Sequence, residues 1–319
     1  MTPFDFFAKI STRATGIPLV FLSSGVVTPP YFKSNLATFP DAYESIFTRY
    51  IPQSIKNRLS NKYALRCKWT IKGFNKSAKH FNVAPMNHFL DLFCGDYTLI
   101  ADEISFLNLK PTSQFSLRNY VGPIFPDYLF QTQRKQTDVK IRKHIEKPGR
   151  SILLSLGSSG TKQMFLDILD ALNKTKYNVI AVYSTILNED EIPRLNNNIR
   201  LTKFVPSIKY INEQVDIAII HGGRGTVYTA AYAGKPVIGI PMQFEQQCNL
   251  DILVRHGMAI RLSKKNFNKK QLMKALREIF HNYDTYLNQA LILKKRLQEP
   301  KGAENAAKRN IEIIQHKVT

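Results

Sequence analysis

The stretch HGGRGTVYTAAYAGKPVIGIPMQFEQQCN, residues 221–249, gathers groups suited to anions and hydroxyls. It follows the apolar run DIAII (216–220), so His221 stands at a strand end and the bare backbone of Gly222, Gly223 and Gly225 comes directly after it. Glycine lets a ligand approach the main chain closely. The next segment reads as a helix, which puts Gly225 and Thr226 at its N-terminus, where unpaired N–H groups and the helix dipole favour a phosphate. Thr226 adds a hydroxyl and His221 a ring N–H. One strand further on, Glu245 and Gln246 lie beside another helix start. A carboxylate accepts hydrogen bonds and an amide both accepts and donates, a pairing that suits a ligand dense in hydroxyls, such as a sugar.

A second glycine-rich loop, GSSGT (157–161), offers Ser158, Ser159 and Thr161. With Gly157 and Gly160 these could cradle a phosphate, or they could simply cap the following helix. Neither loop has the Gly-Lys-[Ser/Thr] end of a Walker P-loop or the GxGxxG spacing, which disfavours ATP hydrolysis and nicotinamide chemistry. Cys67, Cys94 and Cys248 are scattered without metal-ligand spacing, so neither a zinc site nor a disulfide framework is expected. The expected compartment is a reducing cytoplasm.

These loops need a scaffold, and the chain after Ser151 supplies a regular one. Strand-like runs occur at 152–157, 179–183, 199–204, 216–220, 236–241 and 259–262, most separated by helical spacing. Six strands alternating with helices suit a parallel, doubly wound α/β sheet in the order 3-2-1-4-5-6. Strands 1 and 4 are then neighbours at the switch point, which sets GSSGT and HGGRGT side by side where such sheets bind ligands. The half before Ser151 is less regular. GIPLVFLSSG reads as a buried parallel strand rather than a signal-peptide core, GDYTLIAD as a second strand, and NYVGPIFPD as a strand running into a turn. Residues 41–82 look helical with a break at Pro52. The expected division is a first domain over 1–130, a polar linker over 131–150, and a second domain over 151–319 closed by the amphipathic segment AENAAKRNIEIIQHK.

With 319 residues and 44% hydrophobic content the chain suits a two-domain globular protein, and no apolar run reaches the length of a membrane span. Its formal charge of +21 attracts anions. Much of that charge lies between Arg49 and Lys79, interleaved with aromatic residues. Two solvated helices would explain the pattern. Attachment to an anionic membrane surface is the leading functional reading, and nucleic acid ranks below it because no recognition motif accompanies the charge.

The run from His221 to Leu262 resembles the donor-binding signature of the UDP-glycosyltransferase superfamily, in particular its bacterial macrolide-type branch. The likeness extends from FDFFAKISTRATGIPLV through YVGP (120–123) to GAENAA. It implies a GT-B fold with a complete C-terminal Rossmann-like domain and a partial N-terminal one. It also implies inverting transfer of a hexose from a UDP-sugar to a hydroxyl acceptor, a lipid or small aglycone, without a metal or cofactor beyond the donor substrate.

By that resemblance His221, Gly223, Gly225 and Thr226 hold the diphosphate with help from Ser158 and Asn249. Glu245 and Gln246 take the sugar hydroxyls, and the base rests against FVPS at the backbone of Val205. Relatives usually carry Gln where Ser207 stands, and a neutral or hydroxylated residue where Arg224 stands. The family's histidine general base sits in an opening glycine-histidine loop that has no counterpart here, so the catalytic base is unassigned. The expectation is a chain shortened at its N-terminus, of impaired activity or completed by a partner chain. A non-catalytic donor-binding subunit and a nucleotide-sugar epimerase are the alternatives. His80 and His88 match no family motif and are expected to be structural or surface residues.

Overall fold

The computed structural model describes residues 6–125, 139–183, 186–205, 207–297 and 301–318. Chain contacts divide it into two compact units.

The first unit contains helices α1 (Phe6–Thr15), α2 (Pro29–Lys33), α3 (Gln53–Ala64), α4 (Lys72–His80) and α5 (Ile104–Leu107), with strands β1 (Val20–Ser23) and β2 (Tyr97–Ile100). The two strands pair in parallel, with Phe21 opposite Thr98 and Leu22 opposite Leu99. As expected, GIPLVFL yields a strand, but it is buried on one face only and Leu22 is exposed. Ile10 of α1 packs with Ile71, Phe74, Ala78, Met86 and Leu92 into a small core. Two expectations are corrected. Before Pro52 there are only short 3-10 turns at Asp41–Tyr43 and Thr48–Tyr50, because this stretch lacks an apolar stripe to bury. The YVGP region joins β2 through a single bridge, Ile100 to Tyr120, rather than as a strand. Phe125 ends the described part of that segment.

The second unit holds α6 (Val139–Ile145), β3 (Ser151–Ser155), α7 (Lys162–Asn173), β4 (Asn178–Val182), β5 (Ile199–Thr202), α8 (Ile208–Gln214) and β6 (Ile217–Ile220). It continues with α9 (Arg224–Ala233), β7 (Val237–Gly239), α10 (Phe244–Arg255), β8 (Ala259–Arg261), α11 (Lys269–His281) and α12 (Tyr283–Arg296). The sheet order is β5-β4-β3-β6-β7-β8 and every pairing is parallel. This is the doubly wound order expected from the strand and helix pattern, with β3 beside β6. Ile152 and Leu154 of β3 face the core formed with Phe165, Ile168, Leu169 and Leu172 of α7 and with Leu272, Leu276 and Ile279 of α11. The period of two along the strand and the helical spacing along α7 meet on this face.

The division into units departs from the sequence reading at two places. The closing helix α13 (Gly302–Val318) belongs with the first unit, where Ala306 packs on Leu99 and Val121 and Asn305 Nδ2 donates to the Val121 carbonyl at 2.9 Å. Its apolar stripe finds cover there rather than on the six-stranded sheet. The expected linker is partly structural: in α6, Ile141 and Ile145 are buried and His144 Nε2 lies 3.0 Å from the Asn198 carbonyl. Residues 131–138 of that linker lie outside the described residues. Among the described residues no helix is long and apolar enough to cross a membrane.

Asp216 fixes the start of the β3–β6 pair. Its Oδ2 accepts from the Ser151 N–H at 2.7 Å and the Ser151 hydroxyl at 3.0 Å, and its Oδ1 accepts from Arg150 Nη1 at 2.9 Å. Asp216→Ala is expected to lower unfolding stability by about 1–3 kcal/mol, the range for stranding buried partners of a charged acceptor. Urea unfolding of the two proteins measures it.

Candidate functional site

Because all six strands run the same way, their C-terminal ends share one edge of the sheet. The loops after β3, β6 and β7 meet there around the ring of His221. Gly157 of the first loop, with φ +56°, lies so close that a Cβ added to it would stand 2.6 Å from His221 Cε1. A Cβ on Gly223 of the second loop would stand 2.4 Å from His221 Nε2. The ring is thus clasped between two main-chain segments that only glycine permits, and its Nε2 edge faces the gap between the loops.

His221 is buried. Burial pushes its pKa below the ordinary histidine value, and the Ser155 backbone opposes this only weakly. Nδ1 is buried and makes no hydrogen bond. The ring is therefore neutral at pH 7, and the tautomer that a ligand meets follows from what each nitrogen can reach.

Helix α9 starts immediately behind this ring. Gly223 is its N-cap and, having no side chain, gives the first turn no side-chain cap of its own. An uncapped first turn leaves N–H donors to be met by solvent or an anion. The Thr226 hydroxyl donates to the Gly223 carbonyl at 2.8 Å, which holds it at the mouth of the turn. Across from it, Gly157–Ser159 form a 3-10 turn in which Ser158 is exposed. The helix-cap alternative for this loop is met one step later: Thr161, not the Ser-Ser pair, caps α7 by accepting from the Met164 N–H at 3.4 Å.

The third contributor is α10. Gln246 is buried and uses both ends of its amide: Oε1 accepts from the Met242 N–H at 2.9 Å and Nε2 donates to the Ser159 hydroxyl at 3.0 Å. It ties the β3 loop to the β7 loop, a positioning role that composition alone did not reveal. Asn249, one turn later and fully buried, donates from Nδ2 to the Gly222 carbonyl at 3.1 Å and so fastens the β6 loop as well. Glu245 sits half-buried in the first turn of α10, its Oε1 3.5 Å from Asn249 Nδ2. The Arg261 Nε to Asp251 Oδ1 contact, at 2.7 Å, anchors the helix to β8.

Further along the same edge, after β5, Val205 is buried while Phe204 is exposed. Ser207 is the buried N-cap of α8, its Oγ accepting from the Tyr210 N–H at 3.2 Å, which gives the serine a local reason to be there. Pro206 lies outside the described residues. The sequence-derived set therefore gathers on one edge: His221, Gly223, Gly225, Thr226, Ser158, Glu245, Gln246 and Asn249 around the β3, β6 and β7 ends, with Val205 two strands away beyond β4.

Residues 151–308 match the glycosyltransferase family 28 C-terminal domain. The second half of the chain thus carries a glycosyltransferase family 28 C-terminal domain, and the architecture is the GT-B fold. A PGL/p-HBAD biosynthesis glycosyltransferase of Mycobacterium tuberculosis is 26% identical over 281 residues, covering 85% of this chain and 60% of the relative. This chain therefore spans about three-fifths of that glycosyltransferase's length. Among solved structures, the calicheamicin glycosyltransferase CalG4 matches with a TM-score of 0.64 at 16% identity, over 99% of this chain and 74% of its own. The glycosyltransferase VinC, solved in complex with dTDP, matches with a TM-score of 0.52 at 18% identity, over 90% of this chain and 64% of its own.

In the first unit His80 lies at the surface and stands edge-on to Phe81 at 5.0 Å, and His88 caps the turn at Phe89–Phe93. A buried carboxylate that the sequence reading passed over, Asp102, follows β2 and accepts from the Gly25 N–H at 2.6 Å, fastening the β1 loop to β2. Among the described residues no cluster of three His, Cys, Asp or Glu side chains is arranged to hold a metal.

Since the folded ring of His221 resists protonation, the unfolded chain binds more protons once the pH falls below about 6.5, and stability falls with it. Above that range both states are neutral there and the contribution is constant. His221→Asn should flatten the loss of stability between about pH 6.5 and 5. Urea midpoints across that interval check it, and unchanged slopes would contradict the buried neutral ring.

Proposed function

We propose that this chain binds a UDP-sugar at the C-terminal edge of the six-stranded sheet and transfers its hexose, with inversion, to a hydroxyl acceptor on a lipid or small aglycone. The observation that carries the reading is the clasp of two glycine loops on His221 beside an uncapped helix N-terminus. In this reading the diphosphate lies at the rim of the two glycine loops, over the start of α9 and beside the His221 ring that fills the space between Gly157 and Gly223. Main-chain N–H groups of the α9 first turn and the Ser158 hydroxyl donate to its oxygens, the Thr226 hydroxyl joins them by turning away from the Gly223 carbonyl, and Asn249 holds the Gly222 bend in place. His221 presents its Nε2 edge to the same oxygens.

As the acceptor oxygen attacks the anomeric carbon, the bond to the diphosphate breaks and its electron pair moves onto the phosphate oxygen. Fixed donors aimed at that oxygen stabilise the growing charge more than water can, because they need no reorganisation. These groups do the neutralising without a metal or a further cofactor. Glu245 accepts from sugar hydroxyls at the start of α10, while Gln246 positions that end of the site through Ser159 and Met242. The exposed ring of Phe204 and the backbone at Val205 suit the nucleobase. VinC was solved with a nucleoside diphosphate bound, which supports the ligand class. The deprotonating base is left unassigned. A reducing cytoplasmic setting agrees with the free thiols of Cys67, Cys94 and Cys248.

Titration calorimetry with UDP tests the site. His221→Ala is expected to weaken UDP by about 10- to 150-fold, the equivalent of about 1.5–3 kcal/mol for a hydrogen bond to a charged group. Equal affinities would reject the role of His221. A diphosphate beside the ring also raises its lowered pKa, so binding should take up a fraction of a proton near pH 6 and none at about pH 8. Comparing binding enthalpies in buffers of different ionisation enthalpy reads this uptake, which His221→Asn should abolish. Glu245→Ala should cost affinity for UDP-glucose or UDP-N-acetylglucosamine while leaving UDP unchanged, and an equal loss for all three would remove Glu245 from the sugar.

A further inference from the structure

Helix α3 is built inside out. A helix on a soluble unit normally buries its apolar stripe and exposes its polar one. Here Lys56, Asn61 and Ala64 are buried, while Ile55, Leu59 and Tyr63, spaced four residues apart on one face, are exposed at 49%, 59% and 61%. The orientation is held by specific polar contacts on the inner side. Lys56 pairs with Glu44 and lies over the Phe39 ring, Asn61 Nδ2 donates to the Ala37 carbonyl at 2.6 Å, and Asn57 Oδ1 accepts from the Phe39 N–H at 2.8 Å. The outward apolar face is thus fixed by the fold.

The segments on either side of it in sequence expose aromatic rings as well. Phe47 and Tyr50 in the turn before α3 are 88% and 83% exposed, and Trp69 after it is 65% exposed. Tyr63 has both Trp69 and Tyr43 as electrostatic neighbours, so these rings share one surface. The charges around them have one sign: Arg49, Arg58, Lys62, Arg66 and Lys68 are all exposed, and the sole carboxylate between residues 43 and 69, Glu44, is engaged with Lys56.

We propose that this face docks on an anionic lipid surface. Aliphatic and aromatic side chains ringed by Lys and Arg suit the boundary between acyl chains and negative headgroups, where the rings and stems enter and the cations stay at the phosphates. A nucleic acid would leave Phe47, Ile55 and Leu59 without a partner. A second copy would bring two cationic faces together, at an electrostatic cost that a lipid surface reverses.

The chain carries a single tryptophan, Trp69, which makes it a built-in reporter. The full chain is titrated with vesicles of phosphatidylcholine alone or with about one-third phosphatidylglycerol, and partitioning is followed by sedimentation and Trp emission. The expected result is a blue shift and quenching by brominated lipid with the anionic vesicles only. Arg58→Gln with Lys62→Gln should lower partitioning roughly 25-fold, at about fivefold per charge removed. Ile55→Ser with Leu59→Ser should remove the blue shift. All four side chains are exposed, so thermal unfolding should be unaltered in both variants, separating docking from folding. Unchanged emission with anionic vesicles overturns the proposal, as does equal partitioning to both vesicle types. Concentration-dependent self-association that Ile55→Ser with Leu59→Ser abolishes, without vesicle binding, assigns the face to a second copy instead and also overturns it.

Discussion

The second unit depends on one pairing, the parallel contact of β3 with β6. Asp216 and Ser151 lock its beginning through the main chain and two side chains. At its end the ring of His221, one residue beyond β6, fills the space between the two glycine loops. Because the strands are in fixed register, with Ser155 opposite Ile220, the loops that follow leave the sheet at the same level. A one-residue slip would turn the strand faces over and separate the loops. Everything ascribed to the site follows from that alignment.

Helix α10 is the second support, and it works through two buried amides. Gln246 and Asn249 reach three different loops. Buried amides are costly unless fully paired, and here they are paired to loop backbone and to Ser159, so the cost is offset by holding the loops still. The proposed ligand therefore meets donors whose positions are set beforehand, the condition under which fixed dipoles act most strongly on developing charge.

Much of the second unit was legible in the sequence for physical reasons. Runs such as DIAII and ILLS are short, apolar and bounded by Gly or polar residues, and the helix spacing of Met164, Phe165, Ile168, Leu169 and Leu172 is regular, so element type and strand order could be inferred before any coordinates. The glycines of HGGRGT were legible as a close approach, and the partner that the structure shows at Gly223 is the His221 ring. The role of Gln246 was not legible, since hydrogen bonds to Ser159 and Met242 depend on loops distant in sequence. The first unit was harder throughout. Its helices are short, α3 inverts the usual polarity, and Leu117–Asn119 form a 3-10 turn followed by a single bridge at Tyr120, so periodicity carried little information there. The closing helix was recognised as amphipathic, but amphipathicity names a buried face and not the surface that buries it.

That last helix has a practical corollary for anyone who cuts the molecule into pieces. The stretch matching the glycosyltransferase family 28 C-terminal domain ends at residue 308, within α13, which packs on Leu99 and Val121 of the first unit. The same stretch begins at residue 151, leaving behind α6 with its buried Ile141. An excised fragment with those limits would carry part of a helix belonging elsewhere and bare the part of β4 that α6 shields. Borders at 126 and 297 follow the packing, and the polypeptide passes between the two bodies twice, so cutting one of the two connections leaves them covalently joined.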